Sequence, residues 1–366
     1  MFAFGMVLAL PGTVLGLPDA VERLGLTLAD RGVLMATLFA GLFVGSAASG
    51  LVIAAVGQRA TLIGSTALVA ACLPLFTLAS DAVLAGVALA TLGLSGAGVN
   101  TAANALSSDL YPGERGRRLN GLAVAVGLGG LSLPAVTALA TGRVPWPFVV
   151  SAGGAVAAAT ALAALRVSMP VAPRHDPRPL LELRRPGLVW YCLLAMLGAG
   201  TEASMAGWTS TYLTTRGFES ADAAWLLSSH WVGIVVGRAA FAGRVDRAKL
   251  GAIRVGALAG AAGALLFAAA SSPLILAMLP FAIGVAIAVV LPTTLALAGE
   301  RYPANAGMLF GMLLTAAQIG GMALPPLVGL VAEGAGVQLA MSVLVVNGVA
   351  IALVAGRAAR EGPGSG

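Results

Sequence analysis

Long apolar stretches, each bounded by charged residues, proline or glycine, set the rhythm of this chain from end to end. Twelve of them read as membrane spans: 2–17, 32–54, 61–79, 83–108, 119–141, 147–168, 187–213, 223–243, 251–271, 274–298, 306–332 and 337–356. A helix needs about 20 predominantly apolar residues to cross the hydrocarbon core of a bilayer. Twelve such helices occupy about 240 positions, which leaves the 366-residue chain short loops and almost no soluble domain. The pattern predicts an all-α membrane protein of twelve transmembrane helices.

Composition removes the competing classes. The chain is 58% hydrophobic and 10% charged, with a mean hydropathy of +0.94, whereas a soluble domain is about 25% charged. Disorder, a fibre and a disulfide scaffold are excluded as well. The two cysteines, Cys72 and Cys192, sit in apolar runs, where a thiol acts as a small packing residue. A net charge of +6 on a soluble chain would point to nucleic acid, but here the placement of the charge matters more than its sum. With the N-terminus cytoplasmic, 16 of the 21 basic residues fall in inside segments, four fall outside (Arg23, Arg31, Arg143 and Arg216), and Arg238 lies within a span. That bias is the positive-inside rule. It predicts a multi-pass inner-membrane protein with both termini cytoplasmic and no nucleic-acid partner. Span one starts at Met1 without a basic leader and is expected to be the first helix rather than a cleaved signal.

The chain also repeats itself. Laying 110–134 on 301–325 without a gap matches nine of 25 positions, among them Tyr111/Tyr302, Pro112/Pro303, Gly129/Gly320, Gly130/Gly321 and Pro134/Pro325. The offset of 191 equates spans four and five with spans ten and eleven. A shift of six spans preserves orientation, so the expectation is two parallel six-helix repeats. The predicted division is an N-terminal bundle over 1–168, a cytoplasmic linker over 169–186 that is rich in Pro and Arg and contains His175, a C-terminal bundle over 187–357, and a tail over 358–366.

Two parallel six-helix repeats joined by a basic cytoplasmic loop resemble the major facilitator superfamily, over nearly the whole chain. Of that superfamily's loop signature after span two, Gly50, Gly57 and Arg59 remain, with Ala54 and Ala55 where an acidic–basic pair usually stands. The second copy keeps Gly237-Arg238 and Asp246-Arg247. The Gly-Pro motif of drug–proton antiporters is absent from span five. Three segments are similar to the fucose-permease-like branch of sugar–proton symporters: Glu202-Ala-Ser204…Trp208…Tyr212-Leu213, Gly98-Val-Asn100…Asn104, and Leu119-Asn120…Gly127…Gly130…Pro134. The branch usually carries acids in spans one and four, where this chain has Thr13 and asparagine. The resemblance implies alternating access, a small-molecule substrate and coupling to protons.

Candidate chemistry lies in the few polar groups within the spans. Fourteen of the fifteen acidic residues are in loops or at span ends; Glu202, midway along span seven beside Gly198 and Gly200, is not. A charge there costs roughly 2.5–3.5 kcal/mol on insertion scales, a cost relieved by protonation, pairing or a wet cavity. Burial disfavours the charged form of a carboxyl, so Glu202 is the candidate proton carrier; a neutral Glu bonded to a neighbouring helix is the alternative. Thr201, Ser204, Trp208 and Tyr212 fall in one broad sector of the same helix. Hydroxyls with aromatic faces suit a polyol, although Tyr212 also fits an interfacial belt. Asn100 and Asn104, one turn apart in span four, either bind substrate or clamp helices. Gln318 in span eleven is a further candidate liner, and Asn347 in span twelve is a similar lone polar group. His230 in span eight could bind substrate, relay protons or simply pack. Arg238 could snorkel or join Asp246 in a cytoplasmic gate; if it instead reached Glu202 it would hold that carboxylate charged, and a different coupling would follow.

No phosphate-binding loop, metal-ligand cluster or catalytic constellation is present in the sequence. No cofactor and no enzymatic activity are expected; the partners are a small molecule, protons and the lipid bilayer, and the chain is expected to be a monomer. The leading expectation is proton-coupled uptake of a small polar solute such as a sugar. Efflux of amphipathic compounds or drugs by proton antiport is the alternative, and a non-transporting sensor a third.

Overall fold

A computed structural model describes residues 1–111, 115–167, 187–241, 249–302 and 306–360. Every regular element among them is helical. The first half contains α1 (Phe2–Val14), α2 (Pro18–Leu24), α3 (Leu28–Val56), α4 (Gln58–Thr77), α5 (Ala82–Leu110), α6 (Arg115–Ala140) and α7 (Trp146–Arg166). The second contains α8 (Leu188–Thr215), α9 (Ser220–Phe241), α10 (Lys249–Ala269), α11 (Pro273–Ile287), α12 (Val290–Arg301), α13 (Ala306–Ala335), α14 (Val337–Ala340) and α15 (Ser342–Arg360).

Local chemistry sets several boundaries. α3 starts in a capping box: the Thr27 hydroxyl accepts from Asp30 N–H, and the Asp30 carboxylate accepts from Thr27 N–H. Asp81 caps α5 by accepting from Leu84 N–H at 2.9 Å. The expected first span is bent: α1 stops at Val14 and α2 leaves at 83°, with Pro18 opening the new helix. The expected tenth span runs as α11 and α12 with a two-residue turn at Ala288–Val289 and remains one apolar span, Pro273–Arg301. Pro292 lacks the N–H that would donate to the Ala288 carbonyl.

Ten helices among the described residues are long and apolar enough to cross a membrane, or eleven if α1 and α2 form one bent span. α9 is not among the ten; His230 and Arg238 lower its hydropathy.

The described residues cluster into two compact units, one of Met1–Asp176 with Gly207–Ser228, the other of Pro177–Ala206 with Ser229–Gly366. The stretch Gly207–Ser228, which the sequence division places in the second bundle, joins the first unit through its own contacts. Thr211 donates to the Leu15 carbonyl at 3.3 Å, and Ser228 to that of Leu131 at 3.1 Å.

Glycines bring helices together in matching pairs. In the first unit a methyl on Gly93 would strike the Leu38 carbonyl, and one on Gly41 the Ala90 carbonyl, which joins α3 to α5. In the second, Gly284 meets the His230 carbonyl and Gly233 that of Phe281, which joins α9 to α11. Gly129 against Phe2 (α6 on α1) is matched by Gly320 against Met196 (α13 on α8). Gly154 against Ala70 (α7 on α4) is matched by Gly348 against Ala257 (α15 on α10). Such contacts allow backbones to approach to a distance that any side chain would forbid. Polar ties at the helix ends follow the same offset of 191: Gln58 donates to Asp109 at 2.7 Å, and Lys249 pairs with Glu300.

Candidate functional site

The charged centre of the second unit is a pair between α8 and α9. Arg238 Nη2 donates to Glu202 Oε1 at 3.0 Å and to Oε2 at 3.2 Å. The side chains are 24% and 20% exposed, so the pair is neither sealed from its surroundings nor a surface bridge. The exposed apolar stripe of α9 is Trp225, Val232 and Val236, and Arg238 stands about 140° around the helix from it. Arg238 therefore points away from the face that lipid would cover. On α8, Gly200, two residues before Glu202, packs against the Gly320 carbonyl of α13, so this part of the helix is held among its neighbours. Of the three roles open to Arg238 in the sequence, the structure displays the contact with Glu202; Asp246 lies outside the described residues.

Around the pair, polar groups are few and mostly buried. Thr201 donates to the Leu197 carbonyl at 3.0 Å and accepts from Asn347 Nδ2 at 2.6 Å. Asn347 also donates to Leu197 at 2.9 Å, so one amide ties α15 to α8. Ser204 is fully buried and its Oγ has no hydrogen-bond partner. His230 is fully buried, with Nδ1 3.1 Å from the Pro280 carbonyl and Nε2 without a partner. It stands on the same helix as Arg238, eight residues earlier. Beside Thr201 runs a narrow apolar crevice whose walls include Gly198, Met205, Ile283, Val290 and Ile351.

The other sequence candidates fall elsewhere. Asn100 and Asn104 are half-buried on α5 and bond to each other: Asn104 Nδ2 donates to Asn100 Oδ1 and to its main-chain carbonyl, both at 2.9 Å. Trp208 and Tyr212 lie in the stretch of α8 that clusters with the first unit. Both are fully buried, so Tyr212 is not exposed as a belt residue would be, and its hydroxyl accepts from Arg216 at 2.6 Å. Gln318 is half-buried on α13. The structure thus brings together Glu202 and Arg238, with His230 close by, and gives Thr201 a partner in Asn347 that spacing along the chain could not reveal.

Chemically the pair is one carboxylate neutralising one guanidinium. A proton on Glu202 turns an acceptor of charged hydrogen bonds into a neutral acid and frees the guanidinium for another acceptor. A polyhelical protein with an acid–base pair between two apolar helices, packed through repeated glycine contacts, has the makings of a membrane transporter. The chain belongs to the Major Facilitator Superfamily, whose family model matches residues 1–325. No curated protein matches the sequence. Solved structures share the fold. The D-xylose–proton symporter superposes with a TM-score of 0.81 at 16% identity, over 97% of this chain and 94% of that one. A bacterial homologue of the human lysosomal transporter Spinster, in an inward-facing and occupied conformation, gives 0.80 at 16% identity, over 98% and 94%. The nucleoside transporter NupG gives 0.79 at 14% identity, over 98% of each chain.

Proposed function

We propose that this protein is a proton-coupled uptake transporter for a small polar solute of the sugar or polyol kind, with Glu202 as the coupling acid. The observation that carries this reading is the Glu202–Arg238 pair, half-buried between α8 and α9 and turned away from the apolar stripe of α9. Charged side chains at membrane depth are retained where they handle ions or solute. Ser204 and His230, with unpartnered Oγ and Nε2 atoms, are the proposed solute contacts beside the pair. The likeness to a xylose–proton symporter is consistent with this chemistry.

The proposed architecture is twelve spans in two six-helix bundles, 1–168 and 187–357, with a cytoplasmic linker over 169–186 and a tail over 358–366. The glycine pairs α1/α6 with α8/α13, α3/α5 with α9/α11 and α4/α7 with α10/α15 support it, because three different helix pairings recur in the same order. Both termini would be cytoplasmic, in a bacterial-type inner membrane, and the working unit a monomer. Proton-driven efflux of amphipathic compounds is the second reading, favoured by the apolar crevice beside Thr201.

The test is uphill uptake by the purified chain in liposomes under an inward proton gradient, against a panel of sugars, polyols and amphipathic drugs. Solute accumulation that a protonophore abolishes is the expected result. Extrusion of drugs with no accumulation of any polar solute would establish the second reading instead.

A further inference from the structure

Resting on Glu202 as the coupling acid, we infer that the transported solute is a monoanion, a hydroxy acid or sugar acid, whose carboxylate takes Arg238 over from Glu202 when Glu202 is protonated.

The first support is charge balance. As the structure stands, one carboxylate neutralises one guanidinium. A proton arriving on a Glu202 oxygen breaks that balance and leaves Arg238 uncompensated in a medium that solvates charge poorly. A neutral sugar does nothing to relieve this. A solute with one negative charge restores neutrality, so proton and anion each favour the binding of the other, and the linkage is reciprocal. A phosphate monoester, with close to two charges at neutral pH, would overshoot.

The second support is the unused geometry of the guanidinium. It offers five N–H donors in a planar fork that suits a carboxylate bidentately. Glu202 engages Nη2 with both of its oxygens, while Nε is buried without any partner. A solute carboxylate seated across Nε and a terminal nitrogen gains two parallel hydrogen bonds and satisfies that orphan donor. Ser204 and His230, on the same two helices and each with a buried unpartnered polar atom, offer partners to the hydroxyl groups of such an acid.

Among the described residues no other charged group stands beside the pair; Asp222 lies in the first turn of α9, about four turns before Arg238. His230 on α9 is the near titratable group. Tyr191 and Cys192 stand a turn or more from Glu202 toward one end of α8, and Tyr212 toward the other. The charged residues of α10, α12 and α13 are Lys249, Arg254, Glu300, Arg301 and Glu333, all within the first or last two turns of their helices; α11 has none, and those of α15 are Arg357 and Arg360 in its last turn.

The test uses liposomes containing the full chain and a trapped pH dye, with gluconate, glucuronate and lactate as monoanions and glucose and xylose as neutral counterparts. Expected is proton influx with a monoanion, in a one-to-one ratio, at a rate unchanged when the membrane potential is clamped. Proton influx with a neutral sugar, accelerated by an inside-negative potential, overturns the anion while leaving Glu202 as the coupling acid. Solute flux without any proton movement overturns the coupling itself. Binding to the E202Q variant supplies a readout that needs no flux. With its competitor removed, Arg238 should bind a carboxylate roughly tenfold more tightly than in the wild type, independent of pH between 6 and 8. Failure of every monoanion in the panel to stabilise E202Q thermally more than it stabilises R238Q also overturns the proposal.

Discussion

Removing half of the Glu202–Arg238 pair should cost more than removing both halves. Exposed ion pairs contribute about 0–1 kcal/mol, whereas stripping one partner from a fully buried pair costs about 3–5 kcal/mol. With its side chains 20% and 24% exposed, this pair sits between those limits and nearer the second, so E202Q or R238Q alone should lose about 2–3 kcal/mol. The double variant leaves no bare charge and should lose only about 1 kcal/mol, giving a coupling energy of about 3 kcal/mol or more. Reversible unfolding of the four proteins in one detergent, by increasing denaturant, measures the cycle. Repeating it at high salt separates a sheltered pair, which salt leaves nearly unchanged, from a surface pair, which it weakens. Single losses that simply add, with coupling below about 0.5 kcal/mol, would show that neither charge depends on the other and would refute the site as described.

Three further outcomes follow from the packing. Gly93→Val and Gly284→Val should each destabilise by about 1–3 kcal/mol or more in the same denaturant unfolding, since no room exists for even a methyl against the facing carbonyl; Gly50→Ala, with open space around it, should stabilise by up to about 1 kcal/mol. Asn347→Ala removes the amide that joins α15 to α8 and should cost about 1–3 kcal/mol, a loss that Asn347→Gln does not repair if the geometry is as described. Asp81, in the loop before α5, has its carboxyl held below the usual carboxylate range, chiefly by the Leu84 N–H it accepts and then by the Ser80 hydroxyl. Its contribution is therefore complete above the ordinary carboxylate value and lost as pH falls through the lowered one; Asp81→Asn should flatten that part of the acid limb of a stability–pH profile.

Much of the fold was legible because membrane helices leave coarse marks. Apolar runs located each long helix to within a few residues, and the repeat of 110–134 on 301–325 aligned Gly129 with Gly320, which the structure finds in equivalent helix contacts. The 83° bend after α1 was less readable, because hydrophobicity runs through Leu15 and Leu17 up to Pro18 and conceals where the helix ends. At the site, Glu202 stood out as the one acid within a span, and Arg238 was its partner in only one of three roles the sequence left open. Arg238 is 36 residues away on another helix, and a basic residue near the end of a span has a simpler use in snorkelling. The same holds for Thr201 and Asn347, whose contact crosses 146 residues. The two asparagines of α5, by contrast, are one turn apart, and their mutual hydrogen bond is what helix spacing alone makes available.

The most direct measurement compares net accumulation with solute exchange in liposomes containing wild type or Glu202→Gln, with the same transported solute. If Glu202 carries the proton, the variant exchanges internal for external solute at a rate comparable to wild type, yet accumulates none against a gradient. A variant that still accumulates solute under a proton gradient would contradict the account at its centre.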